Sequence, residues 1–191
     1  MPRKVDHRAR RELLADALMR LAATQGLDGV SLRHVAAEAG VSTGMVQHYF
    51  RTKDEMMTFA FTMVEDRIRA RCETAEAPDA PRDLVRALLL QILPLDDTRR
   101  LEGHVGLAFL AYAAVKPAIQ AGVREDAGRM RGFIAEQLRA AGTKGVDPDR
   151  AATGLLALVD GLGIHLLSRQ YTERDAVAAL DAQLDLIFDA R

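Results

Sequence analysis

Apolar side chains recur every three to four residues almost from end to end, and no stretch longer than a few residues alternates strictly between apolar and polar as a half-buried strand does. The pattern predicts an all-α chain of about nine helices. The first, from about Asp6 to Gln25, carries Leu13, Leu14, Ala17, Leu18, Leu21 and Ala22 on one face and stops at Gly26. Ser31 suits the N-cap of a short helix with Leu32, Val35, Ala36 and Ala39 on one side, closed by Gly40. Ser42 caps a third helix that ends near Tyr49. Thr52 and Glu55 have capping-box spacing, so a fourth helix starts near Lys53 and runs into the early seventies.

A linker-like stretch, Thr74 to Ala80, precedes a fifth helix that opens on Pro81 and must end before Pro94. Asp97 or Thr98 caps a sixth. Lys116-Pro117 breaks the pattern, and a long seventh helix from there stops at Gly142. Asp147-Pro148 opens an eighth, to about Arg169, and Thr172 caps a ninth that reaches nearly to the C-terminus.

Between Ser31 and Phe50 the spacing is that of a helix-turn-helix. Ala36 is small where two helices approach, Gly40 sits at the turn, Val41 follows it, and Val46 lies in the second helix. Winding the third helix at ~100° per residue puts Met45, Val46, Tyr49 and Phe50 on a packing arc and Thr43, Gly44, Gln47 and His48 on the opposite one. These residue types suit base reading. Gln pairs bidentately with adenine, Thr touches a thymine methyl, and Gly admits close backbone approach. Tyr49 at the arc's edge can reach a phosphate oxygen, Lys53 in the first turn of the next helix suits another, and Arg33 is the matching cation on the second helix.

Composition adds little until it is divided. The 191 residues are 49% hydrophobic and 28% charged, with a net charge of −1, which excludes a disordered chain and gives no hint of nucleic acid. Residues 1–55, however, hold 9 Lys and Arg against 7 Asp and Glu, and the first 11 residues alone hold 5 against 1. Arg3, Lys4, Arg8, Arg10 and Arg11 form a basic arm that can contact phosphates or enter a minor groove; a solubilising tail is the other reading.

At this point the chain resembles the TetR family of transcriptional regulators. The resemblance rests on GVSLRHVAAEAGVSTGMVQHYFRTKDEMM, Gly29 to Met57, after a helix that ends in Gly26, and is strong over about the first 65 residues. It implies DNA contacts from Ser31, Leu32, Arg33, Ser42, Thr43, Gly44, Gln47, His48, Tyr49 and Lys53. The family often has Tyr-Tyr-His or Tyr-His-Phe where this chain has Gln47-His48-Tyr49-Phe50, so base preference does not transfer. The rest of the chain resembles the family's ligand-binding and dimerisation domain, and Ala157-Leu158-Val159-Asp160-Gly161-Leu162 is similar to its choline-responsive BetI-type branch. With no Trp and three Tyr, the chain is poorly supplied for the aromatic cage that a quaternary ammonium ligand favours.

Two domains are therefore expected: a helix-turn-helix domain with its basic arm over residues 1–52, and a ligand-binding and dimerisation bundle over 53–191. The eighth helix is apolar nearly all round and must be covered on several sides. Leu155, Leu158, Val159, Leu162 and Leu166, with Leu180, Leu184 and Ile187 of the ninth, are the expected homodimer interface, where Gly154, Gly161 and Gly163 allow close approach; an internal core helix in a monomer is the alternative. Met56, Phe59, Met63, Leu107, Phe109, Tyr112 and His165 are the candidate effector-binding residues, with ordinary core as the simpler reading of each. His165 and Asp160 on this apolar helix require partners, and His104 is open.

The expected partners are double-stranded DNA with a palindromic operator, a small-molecule effector and a second copy of the chain. Repression is the family's usual mode, with activation as the alternative. No phosphate-cradling loop, nucleophile elbow or metal-ligand spacing emerges, so no enzyme activity, cofactor or metal is expected. A helical sensor without DNA binding is a third reading, disfavoured by Gln47, Tyr49 and Lys53. Cys72 alone forms no internal disulfide, the N-terminus lacks the apolar run of a secretory leader, and no stretch is expected to span a bilayer, so the expected location is the cytoplasm.

Overall fold

A computed structural model describes residues 7–26, 30–74 and 78–189. Among these residues there are nine α-helices and no strand: α1 (His7–Gln25), α2 (Leu32–Glu38), α3 (Thr43–Tyr49), α4 (Lys53–Thr74), α5 (Pro81–Ile92), α6 (Asp97–Ala114), α7 (Pro117–Ala140), α8 (Pro148–Leu167) and α9 (Glu173–Phe188). The all-α expectation holds, and the helix ends follow local chemistry. Ser31 and Ser42 accept the His34 and Met45 N–H groups, each at 3.1 Å, and Thr172 accepts that of Asp175 at 3.2 Å. Asp147 accepts from both Asp149 and Arg150. At α6 the cap is Asp96, one residue before the expected pair: its carboxylate accepts the Arg99 N–H at 2.8 Å and the Arg99 Nε–H at 2.7 Å.

Two compact units emerge, one of residues 1–67 and 104–116, the other of 68–103 and 117–191, so α4 and α6 each contribute to both. In the first unit α1 buries Leu14, Ala15, Ala17, Leu18, Met19, Leu21 and Ala22, while Leu13, expected on that face, is 41% exposed. The turn between α2 and α3 depends on Gly40. Its φ is +65°, and it lets the Gly40 N–H reach the Ala37 carbonyl at 3.2 Å and the Val41 N–H that of Ala36 at 2.9 Å, the paired bonds of a Schellman stop. This stop aims α3 away from α2, and Val46 and Phe50, both fully buried, anchor it.

The second unit has its own core. Val85, Leu89 and Leu93 from the α5 region meet Ile134, Ala135 and Leu138 of α7, Ala152, Leu155, Val159, Leu162 and Leu166 of α8, and Ala176, Leu180, Leu184 and Ile187 of α9. Seven of the eight side chains expected at a homodimer interface are thus spent inside the protomer, and only Leu158 is left half-buried. A seam of leucines that meets α5 and α7 of its own chain is removed from water without a second molecule. By length and composition α8 would also suffice to cross a membrane, contrary to the expectation of no such stretch, but its leucine seam is part of this core.

Charged contacts tie the second unit's helices together. Glu102 of α6, 4% exposed, receives two guanidinium nitrogens of Arg71 at 2.8 and 3.1 Å, while Arg71 also donates to the Gln91 side chain and carbonyl of α5. Arg86 pairs bidentately with Asp181, and Arg82 donates to one oxygen of Asp185.

Candidate nucleic-acid interface

Thr43, Gly44, Gln47 and His48 are exposed along one side of α3, opposite the buried Val46 and Phe50. Met45, expected to pack, is instead 39% exposed: a seven-residue helix makes a single buried seam, and Val46 with Phe50 fills it. The exposed side therefore offers an amide, two hydroxyls counting Ser42, an imidazole and an unshielded glycine backbone to a groove. Ser31 and Ser42 accept as caps, which leaves each hydroxyl its own proton to donate to a phosphate. Arg33 is exposed at the start of α2, and Leu32 is half-buried beside it.

Tyr49 is half-buried between two imidazoles, with ring centroids 4.8 Å from His7 and 5.0 Å from His48. Lys53 begins α4, and its ammonium lies 5.6 Å from the centre of the Tyr112 ring. The Thr52 hydroxyl accepts the Glu55 N–H at 3.1 Å, as the capping spacing predicts, while the Glu55 carboxylate turns back to the Arg51 N–H at 3.0 Å.

The basic arm divides. Arg3 and Lys4 lie outside the described residues. Arg8 pairs with Glu12 on the surface of α1, and Arg10 is exposed. Arg11 turns inward: its guanidinium lies 4.6 Å from the centre of Phe50 and 4.4 Å from that of Phe59, and donates to Glu55 at 3.0 Å. Its buried Nε finds no acceptor among the described residues, as a cation held by two ring faces and one carboxylate leaves that edge over. Arg11 thus clamps α1 to the end of α3 and to α4. Sequence reasoning placed it with the phosphate contacts because nothing in local spacing reports a partner 44 residues on.

The expected effector residues do not form one group. Met56, Met63 and Phe109 are buried in the first unit, Phe59 and Tyr112 are half-buried there, and Leu107 is 40% exposed. Phe109 stacks on Phe61 with centroids 4.2 Å apart, and the Tyr112 hydroxyl donates to Asp54. His165 belongs to the second unit, where its Nδ1 is 3.0 Å from the Gln170 side-chain oxygen and its ring 4.6 Å from Tyr171. Asp160, also on α8, has its carboxyl pushed above the usual range by desolvation, and burial holds the His104 imidazole below its usual value. Among the described residues no group of three or more His, Cys, Asp or Glu is placed to hold a metal ion.

Residues 14–58 match the family described as bacterial regulatory proteins, tetR family, and residues 81–189 match the one described as BetI-type transcriptional repressor, C-terminal. The HTH-type transcriptional regulator PksA of Bacillus subtilis (strain 168) is 33% identical over 174 residues, covering 87% of this chain and 83% of its own. The crystal structure of a transcriptional regulator from Rhodococcus sp. Rha1 superimposes with a TM-score of 0.86 at 38% identity, over 94% of this chain and 96% of that one. A protein from Saccharomonospora viridis, crystallised in complex with choline, does so with a TM-score of 0.79 at 25% identity, over 93% of this chain and 96% of that one.

Proposed function

The chain belongs to the TetR family of DNA-binding transcriptional regulators, and we propose that it is a repressor that grips a palindromic operator as a homodimer and releases it when a small-molecule effector binds. The observation that carries this reading is α3. It is anchored by Val46 and Phe50 and aimed by the Gly40 stop, and it leaves Thr43, Gly44, Gln47 and His48 exposed on one side. In this reading Gln47 and Thr43 read base edges, while Ser31, Leu32, Arg33, Ser42, Gly44, His48, Tyr49 and Lys53 seat the helix on the backbone. On the same reading residues 1–52 hold the DNA-reading function, joined by Lys53 at the start of α4, and the domain of residues 53–191 senses and pairs, in the cytoplasm.

One short recognition helix makes too few contacts for operator-level specificity, and two reading a palindrome multiply them. The outer side of α8 and α9 supports pairing. Thr153, Gly154, Ala157 and Ile164 on α8 and Ala178, Ala179, Ala182 and Leu186 on α9 are exposed, and a Cβ at Gly154 or Gly161 would meet nothing within 4 Å. Leu186 is 72% exposed. For the effector, choline is not carried over from the Saccharomonospora protein. The rings of Phe50 and Phe59 already meet the Arg11 cation, and that of Tyr112 meets those of Lys53 and Lys116, so these three aromatics leave no three-sided cage. The Phe61–Phe109 stack, with Met63 in the same unit, favours an apolar effector instead.

The test is selection of bound genomic fragments with purified protein, followed by Gln47→Ala on the operator recovered. The substitution is expected to cost about 1–3 kcal/mol and to flatten base preference at one position per half-site. Unchanged discrimination would remove Gln47 from the reading face.

A further inference from the structure

The end of α6 returns to the start of α4 in the first unit, and the meeting point is a small cluster of charge around one ring. Tyr112 donates its hydroxyl to the Asp54 carboxylate, and the Lys116 ammonium lies 3.5 Å from the same oxygen. The ammoniums of Lys116 and Lys53 lie 5.1 and 5.6 Å from the Tyr112 ring centre. Lys116 is fixed at its base too, because it follows the last turn of α6, donates its N–H to the Ala113 carbonyl at 3.0 Å, and precedes the Pro117 that opens α7.

Two ammoniums face one carboxylate, and the carboxylate is already engaged by a phenol and by Lys116. The Lys116 side chain is 41% exposed, so its ammonium has room for an oxygen from outside. Burial and the Asp54 contact hold the Tyr112 hydroxyl above its usual value, so it stays a neutral donor, and the Tyr112 bond with the Lys116 and Lys53 charges holds Asp54 low. What protrudes is a fixed cation beside the residue that opens α4.

We propose that Lys116 is a second phosphate-binding cation of the DNA interface, seated next to Lys53 by the Tyr112–Asp54 pair, so that α6 contributes directly to operator affinity. The inference rests on the reading of Lys53 as a phosphate contact. The chemistry that fits is a backbone phosphodiester: an exposed ammonium on a rigid base binds a diffuse anion without needing a shaped pocket, and both ammoniums lie within one Debye length of the shared ring. No base discrimination is expected of it.

Fluorescence anisotropy on the recovered operator and on a scrambled duplex, from 50 to 200 mM salt, tests this with wild type, Lys53→Gln, Lys116→Gln and Lys116→Arg. Lys116→Gln is expected to weaken both duplexes by a similar factor and to make the salt slope shallower by about 0.9 per protomer, so the wild-type advantage shrinks about threefold per protomer, or about tenfold for the dimer, over that range; Lys116→Arg keeps the wild-type slope. Lys116→Met, which retains the stem over Tyr112, gives the same loss as Gln if charge is what counts. A wild-type slope in Lys116→Gln overturns the proposal, whatever happens to affinity. If wild type itself fails to prefer the operator, the DNA-reading proposal has failed; if wild type and Lys53→Gln behave as expected and Lys116→Gln does not, only the present inference falls.

Discussion

Removing the Arg11 guanidinium distinguishes a structural clamp from a DNA contact. In the folded protein this cation lies against the rings of Phe50 and Phe59, at 4.6 and 4.4 Å, and donates to Glu55 at 3.0 Å, with its side chain 25% exposed. Two partly desolvated cation–π contacts contribute about 0.5–2 kcal/mol each. The Glu55 pair, with one partner 41% exposed, adds under about 1 kcal/mol. The three share one group and are not additive, so Arg11→Ala is expected to cost about 2–3 kcal/mol, a fall of roughly 5–10 °C in the thermal midpoint. Arg11→Lys keeps the charge but loses the planar face and fork, and is expected to recover less than half of that loss. Phe50 also closes α3, so loosening it should blur the recognition helix: preference for operator over scrambled duplex falls at 15 °C, where the variant is folded, while the salt slope stays that of wild type. The reasoning is refuted if Arg11→Ala leaves the thermal midpoint within about 1 °C and flattens the slope by one unit, the signature of a phosphate contact.

Three further perturbations probe the body of the protein. Leu186→Glu, at a 72% exposed position, is expected to leave protomer stability within about 0.5 kcal/mol yet to yield monomers in sedimentation, whereas Leu184→Glu, two residues earlier and fully buried, should give no folded protein; a dimeric Leu186→Glu would move the pairing surface elsewhere. Glu102→Ala strands the Arg71 guanidinium and is expected to cost about 3 kcal/mol in urea unfolding, the lower end for a buried pair because Arg71 is 29% exposed, with Glu102→Gln retaining much of it; a loss under 1 kcal/mol would show the pair to be dispensable. Because burial holds the folded His104 pKa below the ordinary 6.5, the unfolded chain takes up its proton first, and stability is lost as pH falls from about 6.5 toward that lower value; His104→Gln should remove part of the decline between pH 7.5 and 5, and an unchanged profile would assign it to other groups.

The parts of this molecule that were legible in the sequence are those in which cause and effect lie within four residues. Ser31, Ser42, Thr52, Asp147 and Thr172 act where their spacing predicts, and Gly40 adopts the positive φ that the turn requires. The exposed side of α3 follows from the same local logic, with Met45 misplaced only because so short a helix buries one seam. What periodicity could not report is pairing across long stretches of chain. Arg11 with Phe50, Phe59 and Glu55, Tyr112 with Asp54, and Arg71 with Glu102 carry no local signal; Arg11 and Tyr112, expected at the DNA and in the effector pocket, became joints between helices, as did the Arg71–Glu102 pair.

The eighth helix shows why apolar content alone misassigns a surface. An all-round apolar helix has two sides to satisfy, and periodicity says nothing about which of them meets its own chain. Here the sides differ in residue size. Leu155, Val159, Leu162 and Leu166 fill the protomer's core, where large side chains remove the most surface from water. Gly154, Ala157, Gly161 and Ile164 face outward or lie at its edge, with Asp160 among them. Small residues bury little area each but let two backbones come close, so a pairing surface built from them is selected by shape more than by hydrophobic content. Asp160 sharpens the point. Desolvation already raises its carboxyl pKa within one protomer, so any partner laid over this side must either supply a donor or favour the protonated form. A leucine-rich interface would need neither small residues nor a carboxylate at its middle. The outward side of α8 carries both, which is why the pairing proposed here rests on close approach and not on the leucine seam.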